Sequence, residues 1–140
     1  MSSNKLPILC LDFDGCLAIK YTNPVQYYSH VPELIKSLSK THKLYITSFN
    51  PYAEQIIESW ELRPYFVDIR CGCNFKWTGK YREKYKINLS KSRQIMDMIP
   101  NWNKEDITLY DDSMNKLLEV SLNLPNVKII KVDPKIGFKL

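Results

Sequence analysis

Four small groups of polar residues stand out because each follows an apolar run. Asp12 and Asp14 close the run LPILCLDF, Thr47 and Ser48 close KLYIT, Asp111 and Asp112 close ITLY, and Lys91 opens a helical pattern. Side chains two apart on an extended chain point the same way, so Asp12 and Asp14 aim at one spot. Two carboxylates so placed repel; they need a cation, a shared proton or separate roles. Joined by Asp111 and Asp112, they form the hard-oxygen site that magnesium prefers. Neighbours on a strand face opposite ways, so one of that pair is expected as the direct ligand, Asp111, and Asp112 as its support. A hydroxyl at Thr47, or at Ser48, suits a phosphoryl oxygen, and Lys91 suits the charge of such a group. Taken singly, each residue has an ordinary explanation: solvated acids, a helix cap, a strand threonine, a solvated lysine. Their convergence carries the argument.

The elements that must bring them together are legible as alternating patterns. Residues 6–13, 43–47, 65–70, 106–112 and 126–133 read as strands. Residues 31–40, 51–62, 90–99 and 113–123 read as helices, with Pro32 near the first start, Asn50 as cap and Pro51 in the first turn of the second, and Ser90 capping the third. Residues 72–90 show no period and read as loop or irregular hairpin. Strands alternating with helices predict one α/β domain over residues 1–140, a Rossmann-like parallel sheet of five strands with helices on both faces. Such sheets hold ligands at the carboxyl ends of their strands, where all four groups fall.

The motifs LDFDGCL, YITSFN, Lys91 before its helix, and TLYDDSMN resemble, in order, the four motifs of the haloacid-dehalogenase (HAD) superfamily. The resemblance implies an HAD-like fold and a phosphomonoesterase. Asp12 would attack phosphorus to form an aspartyl-phosphate; Asp14 would protonate the leaving oxygen and then activate water. Mg2+ would be held by Asp12, the backbone carbonyl of Asp14 and Asp111, with Asp112 supporting. Thr47 would bind the phosphoryl group and Lys91 offset its charge. Family members that cleave carbon–halogen bonds lack an acid at the place of Asp14. Cys16 departs from the family's usual Thr or Val. The intervals from Asp14 to Pro32 and from Thr47 to Lys91 leave no room for a cap domain, which is similar to the magnesium-dependent phosphatases and the phosphatases of the RNA polymerase C-terminal tail. An open site implies a bulky phosphorylated substrate, a phosphoprotein or a nucleic-acid end.

Charge is local. The chain carries +5 overall, yet residues 74–93 alone hold seven basic residues against one acid. Lys76, Lys80 and Arg82 interleave there with Phe75, Trp77, Tyr81 and Tyr85, a pattern suited to a platform for polynucleotide or phosphopeptide; a solvated hairpin with packed aromatics is the plainer reading. Lys76, Trp77, Lys80, Arg82 and Ser48 are the candidate substrate-binding residues. Cys10, Cys16, Cys71 and Cys73 are expected as reduced, partly buried thiols. No apolar run is long enough to cross a bilayer and no leader is evident, so an intracellular protein, cytoplasmic or nuclear, without membrane partners is expected. Two other functions compete with the phosphatase: a phosphotransferase, mutase or small-molecule phosphatase of the same class, and a non-catalytic module binding nucleic acid or phosphopeptide.

Overall fold

Strand β1 (Ile8–Leu11) consists of four apolar residues, all buried, as a strand covered on both faces must be. The computed structural model, which describes residues 5–72 and 90–140, gives it a parallel neighbour on each side. The chain continues through α1 (Val31–Leu38), β2 (Lys43–Thr47), α2 (Ala53–Ser59), β3 (Asp68–Arg70), α3 (Lys91–Met98), β4 (Ile107–Asp111), α4 (Met114–Asn123) and β5 (Lys128–Lys131). All five strands are parallel, in the order β3-β2-β1-β4-β5.

Alternation along the strands divides the core in two. Leu9, Leu11, Leu44 and Ile46 face α1 and α2, where they meet Val31, Ile35 and Ile57. Ile8, Cys10, Ile107 and Leu109 face α3 and α4, where they meet Ile95, Met98, Leu117 and Val120. Helices thus cover both faces. Register does the rest: Leu11 lies level with Ile46 of β2 and with Tyr110 of β4. The next residue of each strand is Asp12, Thr47 or Asp111, so three of the four polar groups reach one edge by counting alone. Ser90 caps α3 by accepting from the Arg93 N–H at 3.1 Å, which sets Lys91 at the helix's first turn.

Past β1 the chain folds into a tight turn in which the Phe13 carbonyl accepts from the N–H groups of Cys16, Leu17 and Ala18. Gly15 sits at φ +81°, and a Cβ there would lie 2.5 Å from Asp112 Oδ2. Only glycine fits both the conformation and the space. The C-terminal segment closes over this turn. Phe138 is fully buried, its N–H donates to the Cys16 carbonyl at 2.8 Å, and its ring meets Tyr110 edge-on.

Several boundaries differ from the sequence reading, three of them most clearly. α2 begins at Ala53; its N-cap is Tyr52, without a side-chain cap, while Asn50 forms a turn ahead of the helix by accepting from the Tyr52 N–H at 2.9 Å. β3 starts at Asp68, because Arg63–Tyr65 form a 3-10 turn around Pro64. β5 is only four residues long and is last in the strand order, paired among the described residues with β4 alone. Of residues 72–90, read as a loop, all but Gly72 and Ser90 lie outside the described residues; so do Phe75, Lys76, Trp77, Lys80, Tyr81, Arg82 and Tyr85.

Ile46 of β2 is fully buried in the core beneath α1 and α2. Ile46→Ala is expected to cost about 2–5 kcal/mol, read as a lower urea midpoint at unchanged slope.

Candidate active site

Lys91 is fully buried, and an ammonium in that position must be matched. Its Nζ lies 2.9 Å from Asp12 Oδ1 and 3.2 Å from Asp111 Oδ2, and also donates to the Thr47 carbonyl. Burial works against the charge on Lys91, but the two carboxylates outweigh it and hold the ammonium above the ordinary lysine value. The helix that carries Lys91 is tied down on two sides. Gln94 donates from Nε2 to the Ser48 carbonyl at 2.7 Å, and the Ser92 N–H donates to Glu119 of α4 at 3.1 Å.

Asp111 is fully buried, and its Oδ1 accepts from the Ser113 N–H at 2.9 Å, in the turn that starts α4. Carboxylate oxygens of Asp12, Asp111 and Asp112 lie within 4.8 Å of one another. Strand alternation had suggested that Asp111 and Asp112 would diverge. They do not, because β4 ends at Asp111 and Asp112 is already in the turn. Asp112 is ion-paired with Lys20, from the segment after the Gly15 turn. Three converging, largely buried carboxylates supply the hard oxygen donors that suit a divalent cation, so the donor set fits Mg2+.

Asp14 is half-buried, and its Oδ2 accepts from Asn50 Nδ2 at 3.2 Å. Burial pushes both Asp12 and Asp14 above the usual carboxylate range. The chief opposing influence is the Lys91 ammonium at Asp12 and the Asn50 hydrogen bond at Asp14. Thr47 and Ser48 are both buried, but differ in their bonding. The Thr47 hydroxyl has no hydrogen-bond partner among the described residues. The Ser48 hydroxyl oxygen accepts from the Asn50 N–H at 3.0 Å. Between β2 and α2, Phe49 offers its ring to Lys91 and Lys116, whose ammonium groups lie 5.5 and 4.8 Å from the ring centre. Cys10 and Cys16 lie behind the site as buried thiols; burial pushes Cys10 up to about 12 and Cys16 well above its usual value, which keeps both un-ionised.

The structure therefore brings Asp12, Asp14, Thr47, Ser48, Lys91, Asp111 and Asp112 to one sheet edge. The substrate residues expected at Lys76, Trp77, Lys80 and Arg82 lie outside the described residues. Sequence reasoning missed Asn50, Lys20 and Lys116. Asn50 was read only as a helix cap; its place two residues past Ser48, in the stretch leaving an active strand end, was the available signal. Lys20 and Lys116 carried none, since a lysine in a turn or a helix is most often solvated.

Comparison with solved structures gives the same fold. The chain superposes on a haloacid dehalogenase-like family hydrolase from Streptococcus pneumoniae with a TM-score of 0.69 at 12% identity, covering 96% of this chain and 88% of that one. It superposes on the HAD domain of an effector protein from Legionella pneumophila with a TM-score of 0.64 at 14% identity, covering 92% and 87%. A third likeness, with a TM-score of 0.62 at 15% identity, is to the N-terminal part of a Bacteroides fragilis protein containing a phosphatase domain, solved in complex with Mg; it covers 94% of this chain and 38% of that one. No protein-family model matches the chain, and no curated protein matches it in sequence. The protein has the HAD-like fold that its motifs implied.

Removing the Lys91 charge leaves Asp12 and Asp111 buried side by side. Lys91→Met is expected to destabilise the protein by about 3–5 kcal/mol, and adding Asp111→Asn to recover part of the loss, both measured by urea denaturation.

Proposed function

We propose that this protein is a magnesium-dependent phosphomonoesterase that works through an aspartyl-phosphate on Asp12. The observation that carries the reading is the Asp12 carboxylate itself. It is buried at the active edge of the sheet, bound by a buried lysine, and shares its surroundings with two further carboxylates, while Asp14 stands beside it on a different partner. Lys91 orients Asp12 through Oδ1, which leaves Oδ2 for attack on phosphorus. Asp14 gives its proton to the departing oxygen and, as a carboxylate, later takes one from the attacking water. Asp12, Asp111 and Asp112 are the residues that would hold Mg2+, which supplies charge neutralisation for the phosphoryl oxygens. Two hydroxyls are at hand for the phosphoryl group: that of Thr47, which has no hydrogen-bond partner among the described residues, and that of Ser48. The Ser48 oxygen already accepts from the Asn50 N–H, so its hydrogen is directed elsewhere; Thr47 also contributes the carbonyl that anchors Lys91.

The substrate in this reading brings its own bulk, as a phosphoprotein or the terminal phosphate of a nucleic acid. Support comes from two places. Among the described residues the insert between β1 and α1 is a turn with two isolated bridges. The basic, aromatic segment leaves from Gly72, whose N–H donates to the Ser48 carbonyl at 3.1 Å, and rejoins at Ser90, beside Lys91. Both of its ends are anchored at the active edge.

The test is hydrolysis of p-nitrophenyl phosphate with and without Mg2+. Activity is expected to need the metal and to fall to the uncatalysed background in Asp12→Asn. Folded wild-type protein inactive with Mg2+ on this ester and on a panel of phosphopeptides and phosphorylated oligonucleotides would sink the reading. Salt-dependent oligonucleotide binding without turnover would then favour the non-catalytic alternative.

A further inference from the structure

We infer that Asn50 is a positioning residue that decides which oxygen of Asp14 carries the acid proton. The inference rests on the phosphatase reading and deepens it. The Asn50 side chain makes two hydrogen bonds, and the first fixes the polarity of the second. Its side-chain oxygen Oδ1 accepts from the Tyr52 N–H at 2.9 Å. A backbone N–H can only donate, so the amide is not free to flip, and Nδ2 is the end that faces Asp14. Nδ2 in turn can only donate, and it does so to Asp14 Oδ2 at 3.2 Å. When Asp14 is protonated, its Oδ2 is therefore the acceptor, and the proton sits on Oδ1.

The Asn50 side chain thus engages Oδ2 of Asp14 and leaves the Oδ1–H as the free donor of that carboxyl. In the transfer step the Asp12 carboxylate forms a bond to phosphorus as the bond from phosphorus to the leaving oxygen breaks. The electron pair of that bond goes to the leaving oxygen, and the proton on Asp14 Oδ1 follows, leaving Asp14 as a carboxylate. With the Asn50 amide removed, the Asp14 side chain can rotate and place its proton on either oxygen. The site then loses general-acid alignment while keeping its nucleophile, its lysine and its carboxylate cluster.

A loss of acid alignment differs from general damage in its dependence on the leaving group. p-Nitrophenolate departs readily without a proton; an alkoxide does not. The experiment compares kcat/KM for p-nitrophenyl phosphate and for a simple alkyl phosphate, in wild type, Asn50→Ala and Asn50→Asp. This ratio covers only the steps through departure of the alcohol, so later hydrolysis of the aspartyl-phosphate does not enter. Asn50→Asp keeps the acceptor for the Tyr52 N–H, and so the turn, but has no amide to donate to Asp14. Both variants are expected to lose about a hundredfold on the alkyl ester, the lower end of what a positioned acid contributes, and about tenfold less than that on the aryl ester. Equal losses on the two esters, or no loss, in a variant with an unchanged melting transition would overturn the inference and leave the phosphatase reading intact. A wild-type protein inactive on both esters would remove that reading instead.

Discussion

A buried ammonium holds this site together. Lys91 lies at the first turn of α3 with no exposed surface, and its charge is tolerable only because Asp12, Asp111 and the Thr47 carbonyl surround it. Those groups come from three neighbouring strands, and the lysine comes from a helix packed across them. The arrangement closes only if β1, β2 and β4 end level, which the parallel register of Leu11 with Ile46 and Tyr110 provides. Replacing a buried ion cluster by apolar residues is often neutral or stabilising, so its presence is poor evidence for stability. It is better evidence for a charge requirement at that place. The cluster of one cation and two anions is itself net negative, and the Lys20–Asp112 pair adds nothing to the balance. In the proposed function a phosphoryl group brings further negative charge to the same edge. Binding one therefore calls for more positive charge than Lys91 supplies, which is why three converging carboxylates make sense beside a divalent cation and little sense without one.

The second constraint is the turn after β1. Asp12 belongs to the strand ladder, with its N–H donating to the Tyr110 carbonyl at 3.0 Å. Asp14 belongs to the turn, where Gly15 at positive φ brings the chain against the Asp112 carboxylate. Two residues of sequence thus carry the chain from the rigid centre of the sheet to a segment held from outside. The C-terminal segment does that holding, through Phe138 against Cys16 and Tyr110 and through the Tyr28 hydroxyl, which donates to the Pro134 carbonyl. The position of Asp14 therefore depends on residues at the far end of the chain.

Much of this was legible in advance. Apolar runs ending in acids gave the strands, their order of appearance gave the parallel α/β sheet, and the motifs gave Asp12, Lys91 and Asp111 their place. Patterns of burial and period carry that information directly. What they do not carry is the hydrogen-bond pattern beyond a strand end. Asp112 was expected to turn away because strands alternate, but the strand had already stopped. Asn50 looked like a cap because Asn before Pro commonly starts a helix; the helix instead begins three residues later, and the side chain is left to face Asp14. That the Ser48 hydroxyl is engaged by the Asn50 N–H while the Thr47 hydroxyl is not is likewise a fact about the turn and not about the strand.

The two aspartates of the first motif illustrate how neighbouring groups of one type acquire different surroundings. Each is raised by burial, so neither is distinguished by burial alone. Their partners differ. Asp12 faces a fixed ammonium, an interaction that favours the ionised form its proposed role as nucleophile requires. Asp14 faces an uncharged amide, which binds one oxygen in either protonation state and leaves the other able to hold a proton. A single charge on one side and a neutral donor on the other give the two carboxyls different surroundings, as the proposed nucleophile and acid require. The separation follows from topology: Asp12, inside the ladder, lies within reach of the helix that covers the sheet, and Asp14, beyond it, is met by the loop leaving β2.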